Sequence, residues 1–562
     1  MRHRGMRSRS RLAAGALLLA LACTGSGGSG TAPAVAPEAA LPPAAPPLLE
    51  MGAHHFPIRT SAPLAQRYFD QALAQTYGFN HAQAIRDFAF AAKLDPECAI
   101  CSWGVALAHG PNINLPMSTD EAKLAWTALQ EAQARAPHAS PLEQDLIAAL
   151  ATRYAADAPA ERAALDRAYA DAMIALRAKR PENVDIAVLA AEAIMDVTPW
   201  NYWDEQLAPR ELTPQAVEFL EFAMAREPNH LGALHYWIHL QELPAPEKAE
   251  PAADRLLSLA PRAGHLVHMP SHIYWRVGRY QDAVRVNIAG AKSDESLFAL
   301  CGLGNYPVYS ALYYPHNIHF ITVSAAAQGE SESAIAEARR LAMAVKDKVE
   351  QFPPVEDFLT LTDLMLVRFG KWDALLAEPA PPEGRVYQGG VRHFARGMAF
   401  ARLGRLDEAE AELEAVRDGA ADPKAAQLTA NGGSTTTATL LALAGEQLEG
   451  EIAAAKGDTA GALDALEAAV ERQDGLIYTE PPPWFMPTRQ SLGAVLLQAG
   501  RAGEAEAVYV ADLRQHPKNG WSLYGLAQAQ HAQGKSVQAA MTENGFAQAW
   551  KYADVKLSAS RF

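Results

Sequence analysis

In the stretch GHLVHMPSHIYWRVGRYQDA, Gly264 to Ala283, three histidines follow one another at spacings of three and four: His265, His268 and His272. His235 and His239 stand four apart, and His316 and His319, in YPHNIHF, three apart. Residues at these spacings share one face of a helix. Each pair can therefore offer two imidazoles to one ion, with a neighbouring helix completing the shell. Eight of the 17 histidines fall between residues 230 and 319, far more than an even spread would place there. Imidazole ligands with carboxylates at hand suit zinc, copper or iron, whereas a closed structural site would call for cysteine thiolates. The chain has no HExxH, no GxSxG elbow, no Gly-rich phosphate loop and no recognisable paired-carboxylate motif, so these residues name no reaction. Three readings stay open: a transition-metal site, a groove of neutral imidazoles for a polar ligand or peptide, and packing alone.

The elements that must position these side chains come from a repeat of 34 residues. In NHAQAIRDFAFAAKLDP, Ala84, Phe88, Ala91 and Pro96 stand at offsets that recur as Ala216, Leu220, Ala223 and Pro228 in TPQAVEFLEFAMAREP. A fuller unit, SLGAVLLQAGRAGEAEAVYVADLRQHP, has Gly493, Gly500, Ala505, Tyr509 and Pro517. Further copies centre on Gly278/Ala283, Gly329/Ala334, Gly404/Ala409 and Gly457/Ala462. These residues resemble tetratricopeptide repeats, in which small residues let two helices touch, a glycine makes the turn between them and a proline stops the second. The resemblance implies an all-α solenoid of helical hairpins, about 10–12 partly degenerate units over most of the chain after residue 60, with a concave inner face.

In that family, positions 2, 5, 9, 12 and 13 of each first helix face the groove. Counting from Gly278, those positions are His265, His268, His272, Trp275 and Arg276. The preceding unit places His235, His239 and Glu242 on the stripe, and the following one His316 and His319, while His230 falls off it at a unit boundary. One unit earlier, Asp185, Glu192 and Asp196 take groove positions as ligands, as partners that orient imidazoles, as a general base or as a solvated acidic lining. Pro270 brings a specific expectation: it removes a helical hydrogen bond, and if the helix begins only there, His265 and His268 belong to a loop. The repeat is interrupted by HGPNINLPM, VTPWNYWDEQLAPRELTP, LCGLGNYPVYSALYYPHN and YTEPPPWFMPTRQ. Such insertions in a compact solenoid are often functional; Trp200, Tyr202 and Trp203 either wall a pocket beside the histidines or cap apolar edges. Asn112 and Asn114 read as turn residues.

The ends bound the setting. Residues 1–22 hold five arginines and a short apolar run, the pattern of an export signal and too short to span a bilayer. Ala20-Leu21-Ala22 fits an ordinary cleavage site, and ALAC resembles a bacterial lipobox that would put a lipid anchor on Cys23. Residues 23–50, rich in Gly, Ser, Pro and Ala, read as a flexible tether. Beyond it the reading is an N-terminal repeat region with the histidine groove, 51–345, and a C-terminal repeat region, 346–562. Loss of the leader moves the formal net charge from −15 to −20, which disfavours nucleic acid as a partner. Cys98 and Cys101, in CAIC, are spaced for a short disulfide or stay as two thiols; Ser102 after them excludes haem attachment, and Cys301 has no obvious partner. CAICSWGVALAHGPNINLPM, HMPSHIYWRVGRYQDA, YYPHNIHF and EPPPWFMPTRQSLGAVLLQAGRAGEAE together resemble a group of exported bacterial tetratricopeptide-repeat lipoproteins, a likeness that brings no activity or cofactor. The expectation is an envelope or periplasmic protein, lipid-anchored, that binds zinc, copper or iron and acts on a small molecule, or else a metal-free scaffold for a peptide or protein partner.

Overall fold

The glycines that the repeat places between helices adopt the backbone that only glycine takes without strain. Gly278 has φ +74°, and Gly329, Gly404, Gly457 and Gly500 repeat it. Each follows the first helix of a hairpin, and the second helix runs back along it. Small residues then allow the close approach: a Cβ on Gly493 would lie 2.4 Å from the Tyr509 ring, and one on Gly104 2.4 Å from Phe88. The result is an all-α solenoid of helical hairpins, as the repeat implies.

The computed structural model describes residues 45–49, 51–157, 159, 161–430 and 435–562. The leader, Cys23 and nearly all of the tether lie outside the described residues. The end of the stretch read as tether is held in place: Tyr68 donates to the Pro46 carbonyl at 2.6 Å, and the Gln71 amide bonds both Pro47 and Leu49. Residues Pro46–Phe562 form one compact unit. Among the described residues no helix is long and apolar enough to cross a membrane.

Five helices matter for the site: Pro63–Tyr77, Leu231–Gln241, Gly264–His268, Pro270–Arg276 and Tyr313–Ala327. They are first helices of their hairpins and pack side by side. Pro270 divides one helix into two, but the backbone between them stays helical. Met269 between them keeps helical dihedrals (φ −50°, ψ −36°), and its N–H donates to the His265 carbonyl at 2.9 Å. His265 and His268 therefore stand on a helical turn rather than in a loop.

The superhelix folds back on itself. Tyr280 donates to the Pro517 carbonyl at 3.1 Å, Trp521 to the Ala326 carbonyl at 2.9 Å, and the Asp554 carboxylate caps the N–H groups of Ser331 and Glu332. These bonds join the stretches before and after residue 345. At the other end Tyr306 donates to Gln83 at 2.5 Å and Arg86 lies over the Tyr306 ring. Hairpins far apart in sequence thus enclose the histidine-bearing helices. Cys98 and Cys101 are joined as a disulfide.

Candidate metal centre

Six of the seven stripe histidines gather into two sets of three. His235, His239 and His265 form the first, with ligand nitrogens all within 4.8 Å of one another; His268, His272 and His316 form the second on the same measure. All but the half-buried His316 are buried. The short helix Gly264–His268 serves both sets, supplying His265 to one and His268 to the other.

What each Nδ1 meets decides which nitrogen is left to coordinate. His235 Nδ1 lies 2.5 Å from the Tyr77 carbonyl, which can only accept. Nδ1 therefore carries the proton, and the Nε2 lone pair has no partner. His239 Nδ1 faces Glu242 Oε1 at 3.4 Å, and its Nε2 is likewise unpartnered. Neither nitrogen of His265 has one. In the second set His268 Nδ1 lies 2.5 Å from Asn287 Oδ1, whose orientation is fixed because Asn287 Nδ2 donates to the Ala283 carbonyl at 2.7 Å. His272 Nδ1 donates to Glu242 Oε2 at 2.6 Å. Both Nδ1 atoms are thus proton carriers, and the two Nε2 atoms face each other at 3.0 Å. Two lone pairs at that distance repel each other unless a proton or a metal ion bridges them. Nitrogens sharing a tetrahedral ion at about 2.0–2.1 Å are on the order of 3.3 Å apart.

Glu242 ties the sets together, one oxygen to His239 and the other to His272. Burial would raise its pKa, but electrostatic attraction to His272 and His239 and the hydrogen bonds they donate outweigh it and hold the carboxyl at about 2. Burial, with further lowering from nearby imidazoles, keeps His235, His265, His268 and His316 well below the usual histidine range, hence neutral and ready to coordinate. One phenylalanine covers each set. Phe79, at φ +54° in the turn after Pro63–Tyr77, has its ring 4.6, 6.0 and 5.4 Å from those of His235, His239 and His265. Phe320 lies 5.1, 4.9 and 5.1 Å from His268, His272 and His316.

The remaining predicted residues divide. His319 joins neither set; it packs on Phe358 at 5.4 Å and lines a small cavity with Asp357 and Tyr387. Trp200 lies edge-on to His239 at 5.1 Å, and Trp203 donates to the Leu240 carbonyl at 2.9 Å, closing the end of the His239 helix. Arg276 secures the same end through the Glu242 carbonyl at 3.1 Å, and Trp275 packs against Tyr280. Asp196 and Glu192 turn to a different partner: Arg153 donates to Asp196, and burial together with the Asp196 charge pushes Glu192 well above the usual carboxyl range. Asp185 accepts from His230 Nε2 at 3.2 Å, with His54 Nε2 3.3 Å away. His230 Nδ1 accepts from the Ala233 N–H, so its Nε2 carries the proton to Asp185, while the Nε2 of His54, the third member of this His/Asp group, has no hydrogen-bond partner.

Sequence reasoning missed Phe79, Phe320, Asn287 and His54. Asn287 lies on a second helix and His54 ahead of the first repeat, where the stripe has no jurisdiction. Phe320 is one residue beyond a stripe position, a signal that could have found it.

The structure defines an all-α solenoid of helical hairpins with two histidine sets at its first helices. No family model matches the chain, and no curated protein does. Among solved structures, a human IFIT1 dimer with PPP-AAAA is similar at 12% identity and TM-score 0.32, covering 87% of this chain and 91% of that one. The P58(IPK) TPR domain gives 13% and 0.22 over 84% and 99%, and yeast Tom70 12% and 0.28 over 87% and 95%. Likenesses of this strength bring neither site nor ligand across.

Proposed function

We propose that this is an exported, lipid-anchored repeat protein that binds a transition metal, zinc, copper or iron, through His235, His239, His265, His268, His272 and His316. One observation carries the reading: His268 and His272 bring their Nε2 atoms to 3.0 Å while Asn287 and Glu242 accept at both Nδ1 atoms, so the facing nitrogens call for a proton or an ion between them. A shared proton would account for that pair alone. The unpartnered nitrogens of His235, His239 and His265 need a partner too, since each orphaned buried polar group costs about 1–3 kcal/mol. Three nitrogens without a fourth protein ligand are the arrangement of a catalytic rather than a closed structural site. A bound ion there acts as a Lewis acid, activates water or, as copper or iron, handles oxygen.

The second reading, a metal-free interaction scaffold of the envelope, rests on the repeat architecture, whose stacked first helices commonly receive peptides. Metal analysis separates the two. Protein purified without a His tag and loaded with zinc, copper or iron is expected to retain about one ion or more per chain after dialysis and to melt at a higher temperature. His268→Ala/His272→Ala should lose bound metal. Retention no greater than that of an unrelated protein would leave the scaffold.

A further inference from the structure

Resting on the reading that the histidines bind metal, we infer that the two sets hold two ions at once as a single coupled centre, with Glu242 as the residue that positions one ligand of each.

Reach separates the ions. With metal–nitrogen bonds of about 2.0–2.1 Å, two ligands of one ion stand at most about 4.2 Å apart. Each set gathers three nitrogens within 4.8 Å of one another, so that side-chain shifts of about half an ångström bring all three onto one ion, and no histidine belongs to both. One ion cannot serve six imidazoles spread over four helices, so each set takes its own.

Contact joins them. The His265 and His268 rings lie 5.5 Å apart across the boundary, and so do those of His239 and His272. The boundary is therefore one layer of imidazole thick. Phe79 and Phe320 cover the sets with apolar rings, which leaves the neighbouring set among the few polar directions open to each ion. Glu242 makes the link specific: its oxygens accept from His239 of one set and His272 of the other, so displacing either ring moves the carboxylate that orients its counterpart.

Charge adds a condition. Glu242 is the carboxylate in contact with the sets, and two buried dications bring more charge than it neutralises. A small anion from solvent fits the deficit, such as the hydroxide left when a bound water gives its proton to bulk.

A competing arrangement uses the same residues. His239, Glu242 and His272 also place one ligand atom each within 4.8 Å, so a single ion coordinated by the carboxylate would displace both hydrogen bonds. The two arrangements predict opposite behaviour of variants.

Apo protein titrated with copper(II) chloride is expected to bind two ions per chain with a paramagnetic resonance signal well below the copper bound, because neighbouring spins cancel. His235→Ala/His265→Ala should bind one ion and restore its full signal. His316→Asn, at the half-buried ring and least exposed to folding failure, should weaken the second site and also uncouple the first. Circular dichroism confirms the fold of each variant. Glu242→Gln should keep two ions and change their coupling. Two ions with full signal, or one ion lost with Glu242→Gln and kept by His235→Ala/His265→Ala, overturns the paired centre while metal binding stands. No copper bound overturns the metal reading itself.

Discussion

His235 and His268 have similar surroundings in the sequence, yet the acceptor that meets Nδ1 differs: a backbone carbonyl for one, an amide oxygen for the other. The carbonyl of Tyr77 cannot be removed by substitution, but Asn287 can. Asn287→Leu leaves His268 Nδ1 without that acceptor and its ring without a fixed tautomer. Metal affinity of the second set is expected to fall about 10–100-fold, read by competition with a chromophoric chelator, with the helical signal unchanged. Unaltered affinity would mean that Ser271, 3.4 Å from the same nitrogen, suffices to orient the ring. The helical period made six set members and Glu242 legible, because the repeat register aims a whole stripe at once. It also included His319, which packs on Phe358 instead. A stripe specifies the face of a helix, whereas the neighbour across that face is chosen by tertiary packing. Asp196 met Arg153 for the same reason, a partner 43 residues away that no spacing rule indicates.

Among the helical hairpins, glycines with the same backbone serve different ends. Gly278 and Gly404 have φ of +74° and +73°, but a Cβ on Gly278 would lie 2.1 Å from the Pro517 carbonyl oxygen, while one on Gly404 meets nothing within 4 Å. Gly404→Ala is expected to lose only the left-handed penalty, about 1–2 kcal/mol. Gly278→Ala adds a backbone clash of about 1–3 kcal/mol, so its unfolding midpoint in urea should fall further. Equal losses would show that the Pro517 segment yields freely. The sequence marks both turns identically, since repeat position sets φ. Which turn abuts another hairpin depends on how the solenoid closes, and that is absent from a local pattern. Pro270 illustrates the converse: its rule predicts a lost hydrogen bond, and the turn before it still holds through Met269.

Closure of the whole molecule depends on charges at the meeting of late and middle hairpins. Asp512 is fully buried there, accepting from His516 at 2.9 Å, from Gln490 at 3.3 Å and from Ser522, and its charge acts on Arg368 and Tyr280 of the middle hairpins. Burial alone would raise its pKa; the His516 charge and these hydrogen bonds outweigh it and hold the carboxyl below the usual range. The folded chain therefore binds fewer protons at this site than the unfolded one. The stabilisation is complete above the unfolded value of about 3.9 and disappears as pH falls through the folded one. Asp512→Asn removes that term at neutral pH, where a loss of about 1–3 kcal/mol is expected for a buried charged acceptor. The gap between wild type and variant should then close on acidification from pH 7 to below 4, followed by urea unfolding at each pH. A gap that stays constant across that range would show that Asp512 contributes through shape and not through its charge. Since Trp521 and Tyr280 bond across the same boundary, the variant should also expose the 270s helix to proteolysis before the hairpins at residues 63–94 give way.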